Sequence, residues 1–266
     1  MSNNHPEYAG YIFDLDGTIY VGSDVVPGAP RTVAALRARG ARVLFLSNKP
    51  IEPAEAYAQK LTGLGIPAGP EDVLSSPTAL ADRLAAEAPG ASCYLIGEAP
   101  VRQALEARGL RLVAGPPSDY VIASWDRDLH YDKLVIALRC MRGGARLVAT
   151  NPDGTCPVPG GELPDAGAVI AAIEASSGIP CSWVAGKPSP RMLQAARGRL
   201  GLGVGECLLV GDRLETDMAM GIGAGMATAL VLTGVTSAEH LAGSTVQPTY
   251  VLRSVADLLS PGAGGG

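Results

Sequence analysis

Apolar runs of strand length alternate with segments of helical period, and this alternation restricts the fold more than any other feature of the chain. The run YIFDL is followed by the helical segment APRTVAALRARG, and ARVLFLSN is followed by EPAEAYAQKLTGLG. The same order returns in ECLLVGD, ETDMAMGIGAG, ATALVLTGV and the closing pair PTYVL and SVADLL. Repeated units of this kind favour a parallel sheet with helices on both faces. We therefore predict an α/β fold.

A second alternating block, at roughly residues 77–181, lies between these two groups. It reads SCYLIGE, APVRQALEARG, YVIASWD, YDKLVIALRCMRGG, ARLVATN, a loop rich in Pro and Gly, and DAGAVIAAIEASSG. A block of this size can form a smaller α/β domain inserted into the larger one. The predicted boundaries are 1–78 and 182–266 for the core and 79–181 for the inserted domain. Two chain crossings would then form a hinge, which beside an active site suggests a lid. The alternative is one continuous large sheet.

The composition restricts the partners of such a fold. Aromatic residues make up 5% of the chain and the net charge is −5, without a dense run of Lys and Arg. We therefore expect no broad surface for a nucleic acid polymer, although a few local cations could hold a small anionic substrate. No apolar run approaches the roughly 18 uncharged residues of a membrane span. The start MSNNHPEYAG has no basic segment followed by an apolar one, so we expect no export signal and no membrane.

Cysteine and histidine usage points to a reducing compartment and away from zinc. The five cysteines are scattered without a C-x-x-C pair, so we predict reduced, mostly buried thiols in a cytoplasmic protein. The three histidines are too dispersed to form a zinc cluster. The closing SPGAGGG is too flexible in composition to belong to the core.

Two pairs of acidic side chains follow apolar strands. Asp14 comes directly after YIF and Asp16 two residues later, and Asp212 and Asp217 follow CLLVG. Because parallel strands end at the same edge of a sheet, these carboxylates should converge there. Converging carboxylates repel one another unless a cation or a proton separates them. Hard oxygen ligands of this kind predict a Mg²⁺ site, and Mg²⁺ favours phosphate substrates.

Each acidic pair also has a plainer structural explanation. Asp14 to Gly17 could form an Asx-type turn, and Asp217 alone could cap a helix N-terminus. If YIFDL is a buried strand, however, alternation places the side chains of Asp14 and Asp16 on one side and that of Leu15 on the other. The first acidic pair would then face one crevice.

Polar side chains end two further strands. VLFLSN finishes with Ser47 and Asn48, whose side chains and backbone amides could hold the oxygens of an anion. SWVAGKP finishes with Lys187, which Gly186 and Pro188 place in a rigid setting. Taken singly, each could be an ordinary surface residue. Four successive strand ends carrying D-x-D, S-N, G-K-P and G-D are poorly explained as coincidences.

These motifs resemble the haloacid-dehalogenase-like phosphohydrolases over the whole chain. FDLDGT is similar to the first motif of that superfamily, LSN to the second, the lysine of GKP to the third and GDRLETD to the fourth. The inserted block, with VATNPD inside it and LVLTGVT after the fourth motif, resembles the NagD-like and p-nitrophenylphosphatase subgroup with a type IIA cap. The resemblance implies a Rossmann-like parallel-sheet core with an inserted α/β cap domain.

The resemblance also implies a phosphatase mechanism. Asp14 would be the nucleophile that becomes an aspartyl phosphate, and Asp16 the general acid and later the general base. Mg²⁺ would be held by Asp14, the backbone carbonyl of Asp16 and Asp212, with Asp217 in support. The transferring phosphoryl group would be bound by Ser47, Asn48 and Lys187. The substrates would be small phosphate monoesters of the sugar, nucleotide, glycerol, glycolate or pyridoxal phosphate type.

Residues outside the four motifs would set selectivity. Trp125 and Asp126 in ASWDRD, and Asn151 and Asp153 in TNPD, end strands of the inserted block and could contact the substrate. A buried Trp and an Asn-Pro-Asp-Gly turn would explain the same residues without a ligand. Members of the subgroup often continue the second motif with two Asn, whereas Lys49 follows Asn48 here. We expect Lys49 to face solvent, and the alternative is added positive charge at the substrate mouth.

Other functions share part of this pattern. A receiver-type signalling module also takes a phosphoryl group on an Asp, next to Mg²⁺, a Ser or Thr and a Lys. Such a module would be about half this length and would not need an acid at Asp16. A phosphotransferase or mutase would share the aspartyl-phosphate step. GIGAG does not fit the dinucleotide fingerprint, and AGKP lacks the other residues of a P-loop.

The resemblance is also consistent with a homodimer through the cap.

Overall fold

The computed structural model describes residues 6–158 and 160–259. Its strands are β1 Gly10–Asp14, β2 Tyr20–Val21, β3 Asp24–Val25, β4 Arg42–Ser47, β5 Val73–Ser75, β6 Ser92–Ile96, β7 Arg111–Leu112, β8 Tyr120–Ala123, β9 Arg146–Ala149, β10 Thr155–Val158, β11 Gly161–Pro164, β12 Trp183–Val184, β13 Cys207–Gly211, β14 Ala227–Val231 and β15 Tyr250–Leu252. Its α-helices are α1 Ala29–Ala38, α2 Ala54–Gly63, α3 Ser76–Glu87, α4 Ala99–Glu106, α5 Tyr131–Arg142, α6 Ala166–Ser177, α7 Pro190–Leu200, α8 Ala219–Gly223 and α9 Ala238–Ala242.

The larger sheet has the strand order β15-β14-β13-β1-β4-β5. β1 lies between β13 and β4 and pairs in parallel with both, from Gly10↔Cys207 to Phe13↔Val210 on one side and up to Asp14↔Leu46 on the other. All residues of β1 and β13 are buried, as expected for parallel strands covered on both faces. The carboxyl ends of β1, β13 and β4 therefore meet at one edge of this sheet.

Helices and aromatic residues close the core around β1. The rings of Phe13 and Phe45 stack with centroids 6.1 Å apart. Helix α1 buries Val33 and Leu36 against this cluster, and α2 buries Leu61. These side chains recur at helical spacing, which is why the sequence pattern predicted both helices.

A second parallel sheet has the order β12-β9-β8-β6-β7. Every residue of β8 is buried. The apolar cluster of this sheet includes Val121, Leu147 and, from α6, Val169 and Ile173. It therefore has a hydrophobic core of its own.

The described chain divides into two compact units. The first contains the residues up to Ser47, Ala54–Leu74 and the residues from Pro188 onward, and the second contains Asn48–Pro53 and Ser75–Lys187. Two separate parallel sheets rule out the alternative of one continuous sheet. The domain boundaries given above, 1–78, 79–181 and 182–266, remain a prediction.

Some local structure departs from the sequence pattern. ETDMAMGIGAG, read as a helix, begins as a π-helical turn at Leu214–Met218 and becomes α8 only at Ala219. The N–H of Met218 donates to the carbonyl of Arg213, five residues earlier, so one extra residue is accommodated in the turn. SVADLL forms a 3₁₀ turn at Val255–Leu259. The loop rich in Pro and Gly contains the β10-β11 hairpin.

Three further expectations concern other parts of the chain. All five cysteines are free thiols, and four of them are buried. No helix within residues 6–158 and 160–259 is long and apolar enough to cross a membrane. The tail SPGAGGG lies outside the described residues.

Candidate active site

Three buried carboxylates meet at the carboxyl edge of the larger sheet. Asp14 is the last residue of β1, Asp212 follows β13 directly, and Asp217 lies in the π-helical turn. One carboxylate oxygen from each of the three lies within 4.8 Å of the others. Like charges at this spacing repel in a buried setting, and a small divalent cation would relieve that repulsion. The donor set therefore fits Mg²⁺.

Loop contacts hold the carboxylate of Asp212. The backbone N–H of Val235 donates to its Oδ2 at 2.7 Å, and the N–H of Thr236 donates to its backbone carbonyl at 3.2 Å. Two glycines come close to the same oxygen. A Cβ added at Gly17 would lie 2.3 Å from Oδ2, and one at Gly234 would lie 2.0 Å from it. The space around Asp212 is therefore closed to any side chain at these two positions.

The turn after β1 is tied to the loop after β14. Gly17 has a φ of 93°, a left-handed conformation that favours glycine. The hydroxyl of Thr233 donates to the carbonyl of Gly17 at 2.6 Å. At Asp217, a Cβ added at Gly211 would lie 2.5 Å from both Cβ and Cγ of the aspartate. The site is thus packed against bare backbone on several sides.

Asp16 lies outside the three-carboxylate group. Its side chain is exposed, whereas Asp14 is 7% exposed. The expected alternation of side chains along the strand does not extend to Asp16, because β1 ends at Asp14. The chain then turns back, and Asp16 forms an isolated β-bridge with Tyr20. Leu15, between the two aspartates, is buried in the core, as expected. The Oδ1 of Asp16 accepts a long hydrogen bond of 3.4 Å from the N–H of Gly22.

Ser47 ends β4 at the same sheet edge. It is 6% exposed, and its hydroxyl donates to the hydroxyl of Tyr57 at 3.1 Å. Tyr57 belongs to α2 and is buried. No sequence signal distinguishes Tyr57, because a tyrosine on the apolar face of a helix looks like an ordinary core residue.

The other predicted phosphate-binding residues, Asn48 and Lys187, belong to the second unit. Lys187 is 4% exposed. The amide nitrogen of Asn48 donates to the carbonyl of Lys187 at 3.0 Å and to Oδ2 of Asp153 at 2.9 Å. The same Oδ2 accepts from the amide of Asn151 at 3.0 Å. The structure therefore brings Asn48, Lys187, Asn151 and Asp153 into one polar cluster.

Trp125 and Asp126 are both largely buried in the second unit, at 3% and 9% exposed. Oδ2 of Asp126 accepts from Nζ of Lys133 at 2.7 Å, and its Oδ1 accepts from the N–H of Asp128 at 3.0 Å. These contacts organise the loop between β8 and α5. A role for either residue in substrate binding stays a prediction.

Lys49 is partly exposed, and its charge acts on a neighbouring carboxyl. Burial raises the pKa of Asp165 above its ordinary value, while the N–H of Ala166, the side chain of Asn151 and the charge of Lys49 act to lower it. Asp165 caps the N-terminus of α6. Lys49 therefore has an electrostatic partner within the second unit.

Fold and site together define an α/β protein with a group of three buried carboxylates at the carboxyl ends of parallel strands. Such folds bind their ligands at this edge of the sheet. Protein-family models confirm this class. Residues 11–111 match the haloacid dehalogenase-like hydrolase model, and residues 184–258 match a second, HAD-hydrolase-like model. The chain belongs to the haloacid dehalogenase-like hydrolases.

Curated relatives cover nearly the whole chain. The 5'-nucleotidase YutF of Bacillus subtilis is 37% identical over 250 residues, which are 94% of this chain and 97% of that protein. An acid sugar phosphatase of Staphylococcus aureus is 35% identical over 254 residues, which are 96% of this chain and 98% of that protein.

Solved structures agree with the curated relatives. The p-nitrophenyl phosphatase of Archaeoglobus fulgidus superposes with a TM-score of 0.91 at 32% identity, covering 95% of this chain and 98% of its own. NagD of E. coli K-12 superposes with a TM-score of 0.87 at 30% identity, covering 94% of this chain and 98% of its own. The chain is therefore a phosphoric monoester hydrolase of the NagD-like and p-nitrophenylphosphatase group, and the interpretation as a receiver-type module is not supported.

Proposed function

We propose that the protein hydrolyses small-molecule phosphate monoesters with Mg²⁺, through an aspartyl phosphate on Asp14. The observation that carries this proposal is the group of three buried carboxylates, Asp14, Asp212 and Asp217, with oxygens within 4.8 Å of one another. A buried carboxylate beside a cation site is suited to nucleophilic attack on phosphorus, since covalent catalysis divides a slow hydrolysis into two faster steps.

In the first step, an oxygen of Asp14 attacks phosphorus and the bond to the leaving alkoxide breaks. Asp16 gives its proton to that alkoxide. In the second step, Asp16 takes a proton from water, the water oxygen attacks phosphorus, and the acyl phosphate bond breaks to return Asp14 and phosphate. The exposed position of Asp16, outside the buried carboxylate group, suits a residue that must exchange protons in both directions.

Asp14, Asp212 and the backbone carbonyl of Asp16 would hold Mg²⁺, and Asp217 would support them. When bound, Mg²⁺ supplies positive charge that offsets the negative charge of the phosphoryl oxygens. The N–H of Val235 keeps Asp212 in a fixed orientation for this task. Ser47 and Lys187 would bind the phosphoryl oxygens, and Asn48 would belong to the same motif.

The substrate class rests on the relatives. Those with similar chains are a 5'-nucleotidase and an acid sugar phosphatase, so nucleotide and sugar phosphates come first, with glycerol, glycolate and pyridoxal phosphates as further candidates. Selectivity would lie in the second unit, where Asn151 and Asp153 form part of a polar cluster. Trp125 and Asp126 would contribute there as well.

The experiment that tests the proposal uses p-nitrophenyl phosphate. Purified protein should release p-nitrophenol with Mg²⁺ and stop in EDTA, and Asp14→Asn should be inactive. Mass spectrometry of the acid-quenched reaction should find phosphate on the peptide that contains Asp14 in the wild type alone. Activity retained in Asp14→Asn would refute the mechanism. Ranking phosphorylated metabolites by kcat/KM would then identify the physiological ester.

We also propose a reducing, cytoplasmic setting, which the five free thiols support. Homodimerisation through the inserted domain is a further proposal that rests on the resemblance alone. Size-exclusion chromatography with light scattering would test it, since a monomer at all concentrations would refute it.

A further inference from the structure

The side chain of Asn48 forms a two-point contact with the backbone of Lys187. Its Oδ1 accepts from the N–H of Lys187 at 2.7 Å, and its Nδ2 donates to the carbonyl of the same residue at 3.0 Å. The second hydrogen on Nδ2 is used by Oδ2 of Asp153 at 2.9 Å. Both amide hydrogens and the amide oxygen of Asn48 are therefore engaged within the protein.

This contact continues a β-ladder. Up to Gly186 the chain pairs with the strand β9 and its extension, since the N–H of Ala185 donates to Ala149 and that of Gly186 donates to Thr150. At Lys187 the side-chain amide of Asn48 replaces the backbone of the neighbouring strand as hydrogen-bond partner. It offers one acceptor and one donor, as a peptide group would. The backbone of Lys187 is thus fixed by a side chain that imitates a strand.

The surrounding residues fix the orientation of the amide. If the side-chain amide of Asn48 were flipped by 180°, its oxygen would face the carbonyl of Lys187 and the carboxylate of Asp153. Its NH₂ group would face the N–H of Lys187. The approach is also close, because a Cβ at Gly186 would lie 2.5 Å from Oδ1 of Asn48. Only a glycine at that position allows the amide to reach the chain.

The contact also joins two distant points of sequence. Asn48 is the first residue of the second unit and Lys187 is its last, 139 positions later. Lys187 is 4% exposed and is followed by Pro188, whose ring restricts the backbone conformation of the residue before it. Loss of the Asn48 amide would release the lysine at its N–H and its carbonyl together.

We propose that Asn48 is a positioning residue for Lys187, and that its side chain does not bind the phosphoryl group. Its contribution to turnover passes through the lysine whose backbone it holds. This catalytic part of the inference rests on the function proposed above, whereas the positioning itself can be tested in the absence of substrate and metal.

The first test measures the accessibility of Lys187 by competitive labelling with isotope-coded acetic anhydride and peptide mass spectrometry, with Lys60 as internal reference. In Asn48→Ala and Asn48→Asp, the labelling rate of Lys187 relative to Lys60 should rise about fivefold or more, since local opening exposes the amine. Asn151→Ala is the matched control: it removes the other amide on Asp153 but leaves both contacts with Lys187. Its ratio should stay as in the wild type.

An unchanged ratio in both Asn48 variants, or an equal rise in Asn151→Ala, would overturn the inference. Labelling is done below the onset of thermal unfolding of each variant, so that general unfolding, which would expose both lysines, does not imitate the result. A residue that only binds phosphate would leave this ratio unchanged in protein without substrate.

The second test is a double-mutant cycle on p-nitrophenyl phosphate hydrolysis. Asn48→Ala should lower kcat/KM by about 10-fold to 100-fold. In the Lys187→Ala background the same change should cost less than about threefold, because the residue through which it acts is gone. Equal losses in both backgrounds would show an independent contact with substrate and overturn the inference. A wild type without activity would refute the proposed function instead, and the labelling result would still decide the positioning.

Discussion

The backbone N–H of Val235 donates a hydrogen bond of 2.7 Å to Oδ2 of Asp212, across 23 positions of sequence. The same oxygen is approached by Gly17 from the turn after β1 and by Gly234 from the loop after β14. One carboxylate oxygen is thus enclosed by the backbone of two loops. Its position depends on the absence of side chains as much as on a hydrogen bond.

Gly17→Ala should therefore damage the site beyond its backbone strain. The new Cβ would lie 2.3 Å from Oδ2 of Asp212, in addition to the cost of about 1–2 kcal/mol for a left-handed non-glycine residue. Gly22→Ala is the matched control, since its φ is 59° and no atom lies within 4 Å of its added Cβ. Urea unfolding should show a larger loss for Gly17→Ala, and only this variant should need more Mg²⁺ for half-maximal activity. Equal behaviour of the two variants would contradict the close approach.

Asp212→Asn should separate charge repulsion from metal binding. Removing one of three crowded negative charges should raise the Tm in EDTA, whereas added Mg²⁺ should raise the Tm of the wild type much more than that of the variant. Activity should fall about 100-fold or more. Differential scanning calorimetry with and without Mg²⁺ measures both shifts. Asp72→Asn, in the ion pair with Arg37, should leave the response to Mg²⁺ unchanged; an equal Mg²⁺ response in Asp212→Asn would exclude Asp212 as a ligand.

Tyr57→Phe should affect substrate binding through Ser47. The change removes the hydroxyl that accepts from Ser47 at 3.1 Å and leaves the ring in the core. Loss of a buried hydrogen bond should cost about 1 kcal/mol of stability and raise the KM for p-nitrophenyl phosphate a few fold. Tyr94→Phe, which loses a 3.1 Å hydrogen bond to the carbonyl of Lys133, should cost similar stability with an unchanged KM. If both variants alter KM alike, Tyr57 has no particular role at Ser47.

The pH dependence of stability should have opposite signs at two aspartates. Burial raises the pKa of Asp165, so the folded state is penalised when this carboxyl ionises. Relative to Asp165→Asn, the wild type should be most stable below about pH 4 and should lose stability as the pH rises through the raised pKa. The substituted Asn can still cap α6.

Asp119 is the control, because its contribution to stability should change with pH in the opposite direction to that of Asp165. Hydrogen bonds from the hydroxyl and N–H of Ser92 lower its pKa. Relative to Asp119→Asn, the wild type should therefore gain stability as the pH rises, and lose it as the pH falls through the lowered pKa. Urea unfolding of both variants and the wild type from pH 3 to 8 gives the two difference curves. Curves that slope the same way would contradict one of the two environments.

Much of the fold followed from periodicity along the chain. Strand-length apolar runs became β1, β4, β6, β8, β9 and β13, because a buried parallel strand needs apolar residues on both faces. The same rule predicted that Asp14 and Asp212 would meet, since neighbouring parallel strands end at one edge. The short strand β7 and the π-helical turn were not predicted, because their hydrogen bonds depend on distant partners more than on local pattern.

The candidate site also has features that local sequence predicts and features that it does not. Local sequence was enough to identify Asp14, Asp212, Ser47 and Lys187 as strand-end residues with useful chemistry, because strand ends and turn residues are encoded within a few positions. Three contacts were decided only by the tertiary structure. The side-chain amide of Asn48 hydrogen-bonds to the backbone of Lys187, and the hydroxyl of Ser47 donates to that of Tyr57. Gly17 and Gly234 enclose the carboxylate of Asp212. Each of those contacts is made by the folding of separate chain segments onto one another, and periodicity along one segment carries no information about which side chain another segment will bring to it.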